Sequence, residues 1–225
     1  MSNINHEFFY SYLNAFGNRV VYTSIIPKEM MASAVDKEGW FEWKLLKGTL
    51  NDSDYIKIED QFKIKFPKSF IEWHKAYFFL DGDCSLIRLP YSIPTQPLNE
   101  IRKNLDWYIP QQLIPQKLYP FANEGNDGGV LIFDGRKAVT DCEFPIRIYD
   151  SEVGGNAMGV GEIIFSSFTK LLECLTHYFM ELKTRTSFEI IPDFFLIDPK
   201  GAGKTGVDYW LTWVNIQKAN FEEPD

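Results

Sequence analysis

Cysteine and histidine are scarce in this chain, with three of each among 225 residues. The cysteines, Cys84, Cys142 and Cys174, are widely spaced and form no CxxC pair, and the histidines belong to no HExxH motif. Zinc sites and disulfide scaffolds need several such residues at close spacing. We therefore predict no metal site and no cofactor, and we expect three reduced thiols in the core of a cytoplasmic protein.

Long apolar runs and targeting signals are also missing. The longest apolar runs have four or five residues, as at 76–80 and 130–133, whereas a membrane-spanning helix needs about 20. The first Lys or Arg is Arg19, and Glu7 precedes it, which fits neither a secretory signal nor a transit peptide. These absences predict a soluble, cytoplasmic protein with no membrane partner.

Basic residues are fewer than acidic residues. The chain has 23 Lys and Arg against 31 Asp and Glu, a net charge of −8 with a pI near 5.0. Nucleic-acid binding depends largely on basic side chains that contact phosphates. The balance therefore argues against direct nucleic-acid binding, and it suits either a basic partner or no partner.

Motifs for catalysis are absent as well. No GxSxG elbow occurs, and the glycine-rich segment 154–161 lacks GxGxxG, so we expect a flexible loop there. Residues 198–205 (DPKGAGKT) resemble a phosphate loop, but Asp198 occupies the position of its first glycine, so we expect an exposed turn. His74 lies on an apolar helix face without an orienting partner, which favours a hydrogen-bonded core residue. We predict that the protein is not an enzyme and has no catalytic residues.

Apolar periodicity and turn residues predict the secondary structure. Helices are predicted over residues 9–16, 53–62, 67–77, 98–107, 167–182 and 207–216, and strands over 20–25, 84–89, 117–122, 130–133, 145–149 and 194–197. Residues 126–129 (NDGG) predict a hairpin turn. Helices before and after a set of antiparallel strands predict one α+β domain over residues 1–225, with a central, antiparallel-rich twisted sheet flanked by helices.

The acidic excess is concentrated in one part of the chain. Residues 121–155 contain seven acids against three bases, so this segment carries −4, half of the net charge. Several of these acids fall at predicted strand ends or turns, and Asp81 and Asp83 flank a glycine ahead of the first of these strands. Two interpretations stay open: a solvated face that protects edge strands, or a docking surface for a basic protein.

Four ordered segments resemble the SUKH superfamily, which includes fungal cell-wall assembly and glucan-synthesis regulators and bacterial immunity proteins. The segments are EDQFKIKFPKSFIEWHKAYFFLDGD (59–83, preceded by GWFEW at 39–43), 119–134, 145–150 and 166–175. Phe66 replaces the usual Leu and Asp81 the usual Asn. The resemblance does not cover the tail after about residue 183.

The resemblance implies a SUKH-like domain with a core at about 40–182, a helical N-terminal lead-in at 1–39 and a C-terminal extension at 183–225. It implies a non-enzymatic protein-binding domain, an immunity protein that neutralises a basic, nuclease-type toxin of a polymorphic toxin system. The alternative is a regulatory scaffold that binds cellular proteins, as the fungal regulators do, and a third is an enzyme with an unrecognised site. The candidate partner-binding residues are Asp81, Asp83, Glu124, Asn126, Asp127, Asp134 and Asp150. Trp40 and Trp43 are rival aromatic anchors, although packing in the core or at its boundary is the more common role of a Trp.

Overall fold

The structure of the protein is a computed structural model that describes residues 3–137 and 143–222. The helices are α1 (Asn3–Phe16), α2 (Asp52–Phe62), α3 (Lys68–His74), α4 (Asn99–Leu105), α5 (Tyr108–Leu113), α6 (Phe168–Glu181), α7 (Ser187–Ile190), α8 (Phe194–Ile197) and α9 (Val207–Glu222). The strands are β1 (Arg19–Val21), β2 (Trp40–Glu42), β3 (Leu46–Lys47), β4 (Tyr77–Phe78), β5 (Ile87–Arg88), β6 (Leu118–Glu124), β7 (Val130–Asp134), β8 (Ile146–Tyr149) and β9 (Val160–Phe165). The predicted α+β class is confirmed.

A five-stranded antiparallel sheet, in the order β5-β6-β7-β8-β9, forms the centre of the domain. Alternate side chains of its strands point to opposite faces. On one face Phe121 and Phe133 stack with ring centroids 3.8 Å apart, and Phe168 of α6 packs edge-on against both. On the other face Leu118 and Ile132 pack with residues of α5. Because both faces are covered, β7 is buried along its whole length.

The N-terminal third packs onto this core. α1 lies against α6, and Phe9 of α1 stacks on Trp73 of α3 with an interplanar angle of 4°. Two two-stranded sheets, β1-β2 and β3-β4, complete this part. The predicted helix 67–77 is shorter than expected, because it ends at His74 and Tyr77 belongs to β4.

The C-terminal extension belongs to the same hydrophobic core. Phe194 and Trp210 pack against each other with ring centroids 5.1 Å apart, and both are fully buried. The prediction of a strand over 194–197 is wrong, since these residues form α8. In this single turn of helix Phe194 is buried and Leu196 is 84% exposed. An apolar run of four residues does not distinguish such a turn from a strand.

The expectation of an exposed turn at 198–205 is wrong in part, because Asp198, Gly201 and Ala202 are buried while Lys204 and Thr205 are exposed. The Asp198 side chain is fully buried. It accepts hydrogen bonds from the backbone N–H and the hydroxyl of Ser166, both at 2.6 Å, and from the backbone N–H of Gly201 at 3.1 Å. The carboxylate therefore fastens the turn to the junction between β9 and α6.

Strand β9 replaces part of the flexible loop expected at 154–161. Residues Val160 and Gly161 begin a strand that pairs with β8, and two register irregularities interrupt that pairing. The irregularities break the alternation of apolar and polar residues that would have predicted a strand.

The structure describes two of the three cysteines. Cys84 and Cys174 are free and buried, and burial raises the pKa of each thiol well above its ordinary value. Cys142 lies outside the described residues. Across residues 3–137 and 143–222, no helix is both long and apolar enough to cross a membrane.

Candidate functional site

Five of the predicted partner-binding residues lie at one end of the central sheet, which we call the turn end. The β6–β7 turn places Asn126 and Asp127 there. Val130 pairs with the last residue of β8, so Asp150 directly follows at the same end. Asp81 and Asp83 join them because β5 pairs with the last residues of β6.

Arg88 connects the two acidic turns of this end. Its Nε lies 3.7 Å from Oδ2 of Asp83, and its guanidinium also forms an ion pair with Asp127. It donates a further hydrogen bond to the carbonyl oxygen of Gly125 at 2.5 Å. Sequence reasoning missed Arg88, although its place at the end of a short hairpin opposite Asp83 was a usable signal.

The acidic side chains at the turn end also hold their own turns. Asp81 accepts a hydrogen bond from the backbone N–H of Asp83 at 2.9 Å, and Asp83 accepts one from Ser85 at 2.8 Å. Asp150 caps the following 3₁₀ turn in the same way. Each carboxylate uses one oxygen for its turn, and the side chains of Asp83 and Asp127 are still 55% and 78% exposed. The turns thus present fixed and accessible negative charge.

A cleft of about 230 Å³ opens between these turns and α4. Three carboxylates, those of Asp81, Asp83 and Glu100, line it together with Arg88. Asp81 also accepts a hydrogen bond from the hydroxyl of Tyr12, and burial, followed by the charge of Asp81, raises the pKa of Tyr12, which stays a donor. Glu100 is paired with Lys103 at 2.7 Å, so Asp81 and Asp83 are the carboxylates that make the cleft suited to a cationic side chain.

Exposed apolar side chains lie beside the acidic turns. The segment 154–159 packs on α5, and Asn156 accepts a hydrogen bond from the hydroxyl of Tyr149 at 3.0 Å. Met158 on this segment is 82% exposed, and Tyr108 at the start of α5 is 63% exposed. Because Tyr149 directly precedes Asp150, these apolar groups adjoin the acidic end. Neither was predicted, since an exposed Met or Tyr is not distinctive in a sequence.

Glu124 and Asp134 do not belong to an accessible surface, contrary to expectation, because both side chains are buried. Glu124 accepts hydrogen bonds from the hydroxyl of Tyr209 at 2.6 Å and from the indole N–H of Trp213 at 3.1 Å. Helix α9 therefore covers it.

Asp134 lies at the opposite end of β7 from the turn end, paired with Arg136 at 2.8 Å and Arg147 at 2.7 Å. Burial opposes ionisation, but the hydrogen bonds from the two arginines outweigh it and hold the pKa of Asp134 below its ordinary value. Its charge is thus used inside the fold.

The two candidate tryptophans differ. Trp43 is only 1% exposed and is a core residue, so its expected role as an anchor is wrong for a physical reason: no partner can reach it. Trp40, in β2, is 39% exposed and lies beneath the guanidinium of Arg19, 5.7 Å from the ring centroid. It lies outside the five-stranded sheet that forms the turn end.

His74 occupies the core, as the sequence predicted. Its Nδ1 lies 2.7 Å from the hydroxyl of Tyr55, and the residue is fully buried. Burial lowers the pKa of His74 to about 3, so the ring is neutral. In the part of the chain that the structure describes, no three His, Cys, Asp or Glu side chains are grouped so that they could hold a metal ion.

Comparison with known proteins adds no relative: the chain matches no protein-family model and no curated protein.

Proposed function

We propose that this chain is a SUKH-type immunity protein that acts in the cytoplasm by binding and neutralising a basic, nuclease-type toxin. The observation that carries the proposal is the acidic surface at the turn end, formed by Asp81, Asp83, Asp127 and Asp150. The order of the four SUKH-like sequence segments supports it independently. The chain would act by occupying a surface of the toxin and would perform no reaction itself.

Charge complementarity is the main physical support. A toxin that binds nucleic-acid phosphates presents Lys and Arg side chains, and a fixed acidic surface increases its rate of association. Arg88 neutralises part of the charge of Asp83 and Asp127 in the free protein. Hydrogen bonds within the turns hold the carboxylates of Asp81, Asp83 and Asp150 in place, which lowers the ordering cost of binding a cation.

The apolar neighbours supply the second component of an interface. Tight complexes of this kind bury about 1,600 Å² in total and depend on a few aromatic or charged anchors. Tyr108 and Met158 are exposed beside Asp150 and have the residue types enriched at interface cores. In this arrangement the acids set the rate and orientation of docking, and the apolar pair contributes to the lifetime of the complex.

The test is co-expression with the toxin domain encoded beside this chain, together with binding kinetics on the purified proteins. We expect the wild-type chain to restore growth. Asp83→Lys with Asp127→Lys should slow association at least tenfold at low salt, because it reverses the charge that attracts the toxin.

The matched control is Glu29→Lys with Asp60→Lys, which makes the same change in net charge at exposed acids outside the turn end. Equal association rates for the two double variants would contradict the acidic surface while leaving the immunity role standing. If the wild-type chain neither restored growth nor bound the toxin, the immunity role would be contradicted. Capture of a cellular protein without toxin binding would favour the regulatory scaffold.

A further inference from the structure

A second and larger groove lies at the end of the sheet opposite the turn end. Its volume is about 610 Å³, within the range of small-molecule sites. Helices α2 and α4 and the connection from α5 to β6 form its walls. Phe62, Leu105, Ile114 and Tyr119 give it an apolar lining. An apolar lining of this kind favours binding of the apolar part of a ligand.

Two exposed lysines, Lys63 and Lys117, line the same groove. Within residues 3–137 and 143–222, neither ammonium group has an ion pair or hydrogen bond. Asp106 is the one acid among the described lining residues, so the groove carries a positive balance in a protein whose net charge is −8. This positive charge favours binding of a negatively charged ligand.

The backbone at both lysines makes their presence informative. Lys63 follows the end of α2 with φ 59° and ψ 40°, and Lys117 follows the 3₁₀ turn Ile114–Gln116 with φ 59° and ψ 35°. This left-handed conformation strongly favours Gly or Asn, because a Cβ is strained there. A positive charge at the C-terminal end of a helix is favourable. This effect does not explain why a residue with a Cβ occupies a left-handed position, or why lysine does so at two positions around one groove.

Gln61 adds an oriented donor at the groove. The guanidinium of Arg102 donates a hydrogen bond to its side-chain oxygen Oε1. Gln61 is a lining residue of the groove, and its amide N–H₂ group is thereby left free to donate. An anion in the groove would thus have one neutral and two charged donors.

We propose that this groove binds a small amphipathic anion, an aromatic or aliphatic carboxylate whose apolar body packs on Phe62, Leu105 and Tyr119. Its anionic group binds between Lys63 and Lys117. The site is independent of toxin binding, because it lies at the other end of the sheet. The strain at the two lysines is retained for the charge that they bring to the ligand.

The test uses 1-anilinonaphthalene-8-sulfonate, an aromatic anion that fluoresces when bound, and its neutral analogue N-phenyl-1-naphthylamine. We expect saturable binding of one sulfonate dye per chain, displacement by 2-naphthoate, and at least tenfold weaker binding of the neutral dye. Lys63→Gln with Lys117→Gln should weaken binding of the sulfonate at least tenfold. The control, Lys37→Gln with Lys44→Gln, removes the same charge from exposed lysines elsewhere and should leave binding unchanged.

A second variant separates ligand binding from folding. Lys63→Gly with Lys117→Gly should lose binding equally but melt at a higher temperature than the wild-type chain, because glycine relieves the left-handed strain. Wild-type affinity in the Gln variant, equal affinity for the neutral dye, or no saturable binding of either anion would each overturn the proposal.

Discussion

Single buried polar residues join segments that are far apart in the sequence. Glu124 is bound by side chains of α9 that lie 85 and 89 residues further along the chain. Asp198 is bound by Ser166, and Asp134 by Arg147. From the sequence, Glu124 and Asp134 were indistinguishable from the exposed acids around them. A sequence gives the charge of a residue but does not give the donors that let the charge be buried.

His74 should make stability depend on pH. In the folded protein its pKa is about 3, whereas an unfolded histidine titrates near 6.5. Between these two pKa values only the unfolded state binds the proton. The contribution of His74 to the free energy of unfolding is therefore greatest above pH 6.5. It should fall by up to about 1.4 kcal/mol per pH unit as the pH decreases towards 3.

The measurement is urea unfolding at several pH values from 7 to 4.5. His74→Gln keeps a hydrogen-bonding partner for Tyr55 but does not titrate. The free energy of unfolding of this variant should therefore change less steeply with pH, by the contribution of one proton. Identical slopes for the two proteins would contradict the assignment of a buried, neutral His74.

The elements that the sequence predicted best carry their signals within a few residues. Helix α6 begins after Ser167, whose side chain accepts a hydrogen bond from the backbone N–H of Lys170, and its apolar stripe repeats at helical spacing. Strands β6 and β7 were predicted from short apolar runs on either side of the turn at 126–129. The sequence did not predict strand β9 or helix α8, because the elements packed against these segments decide their secondary structure.

Helix α9 offers a prediction at this scale. Tyr209→Phe removes one of the two donors that hold the buried Glu124. Because a hydrogen bond to a charged group is lost, we expect the free energy of unfolding to decrease by about 1.5–3 kcal/mol. Chemical denaturation measures the change.

The control for Tyr209 is Tyr22→Phe, which removes the hydroxyl of a 43% exposed tyrosine and should change the free energy of unfolding by less than about 0.5 kcal/mol. Equal effects of the two substitutions would show that the bond between Tyr209 and Glu124 does not hold α9.

The largest cluster of buried apolar side chains among the described residues spans most of the chain, and the two ends of the sheet differ in charge. Core residues run from Phe8 to Trp213, so the expected lead-in and extension pack with the middle of the chain. Asp81, Asp83, Asp127 and Asp150 lie at the turn end, while Lys63 and Lys117 line the groove at the other end. Composition shows an acidic protein, and only the fold shows two surfaces of different sign.

Removal of the C-terminal extension should prevent folding. A chain that ends at Leu182 lacks Phe194 and Trp210, which cover Phe165, and both donors to Glu124. We expect such a chain to show no cooperative thermal transition by circular dichroism.

Truncation after Lys218 removes exposed residues at the end of α9 and serves as the control, for which we expect a cooperative transition. A cooperative transition of wild-type size in the chain that ends at Leu182 would contradict a structural role of the extension in the largest cluster.

The sequence by itself determined the α+β class, the ends of the strongest helices and the concentration of acid in residues 121–155, because these follow from local spacing and composition. Only the tertiary structure decided which acids are accessible. It separated Asp83 and Asp127 from the buried Glu124 and Asp134, and it placed Lys63 and Lys117 around one groove. Burial and convergence depend on contacts between distant parts of the chain, and no local pattern encodes them.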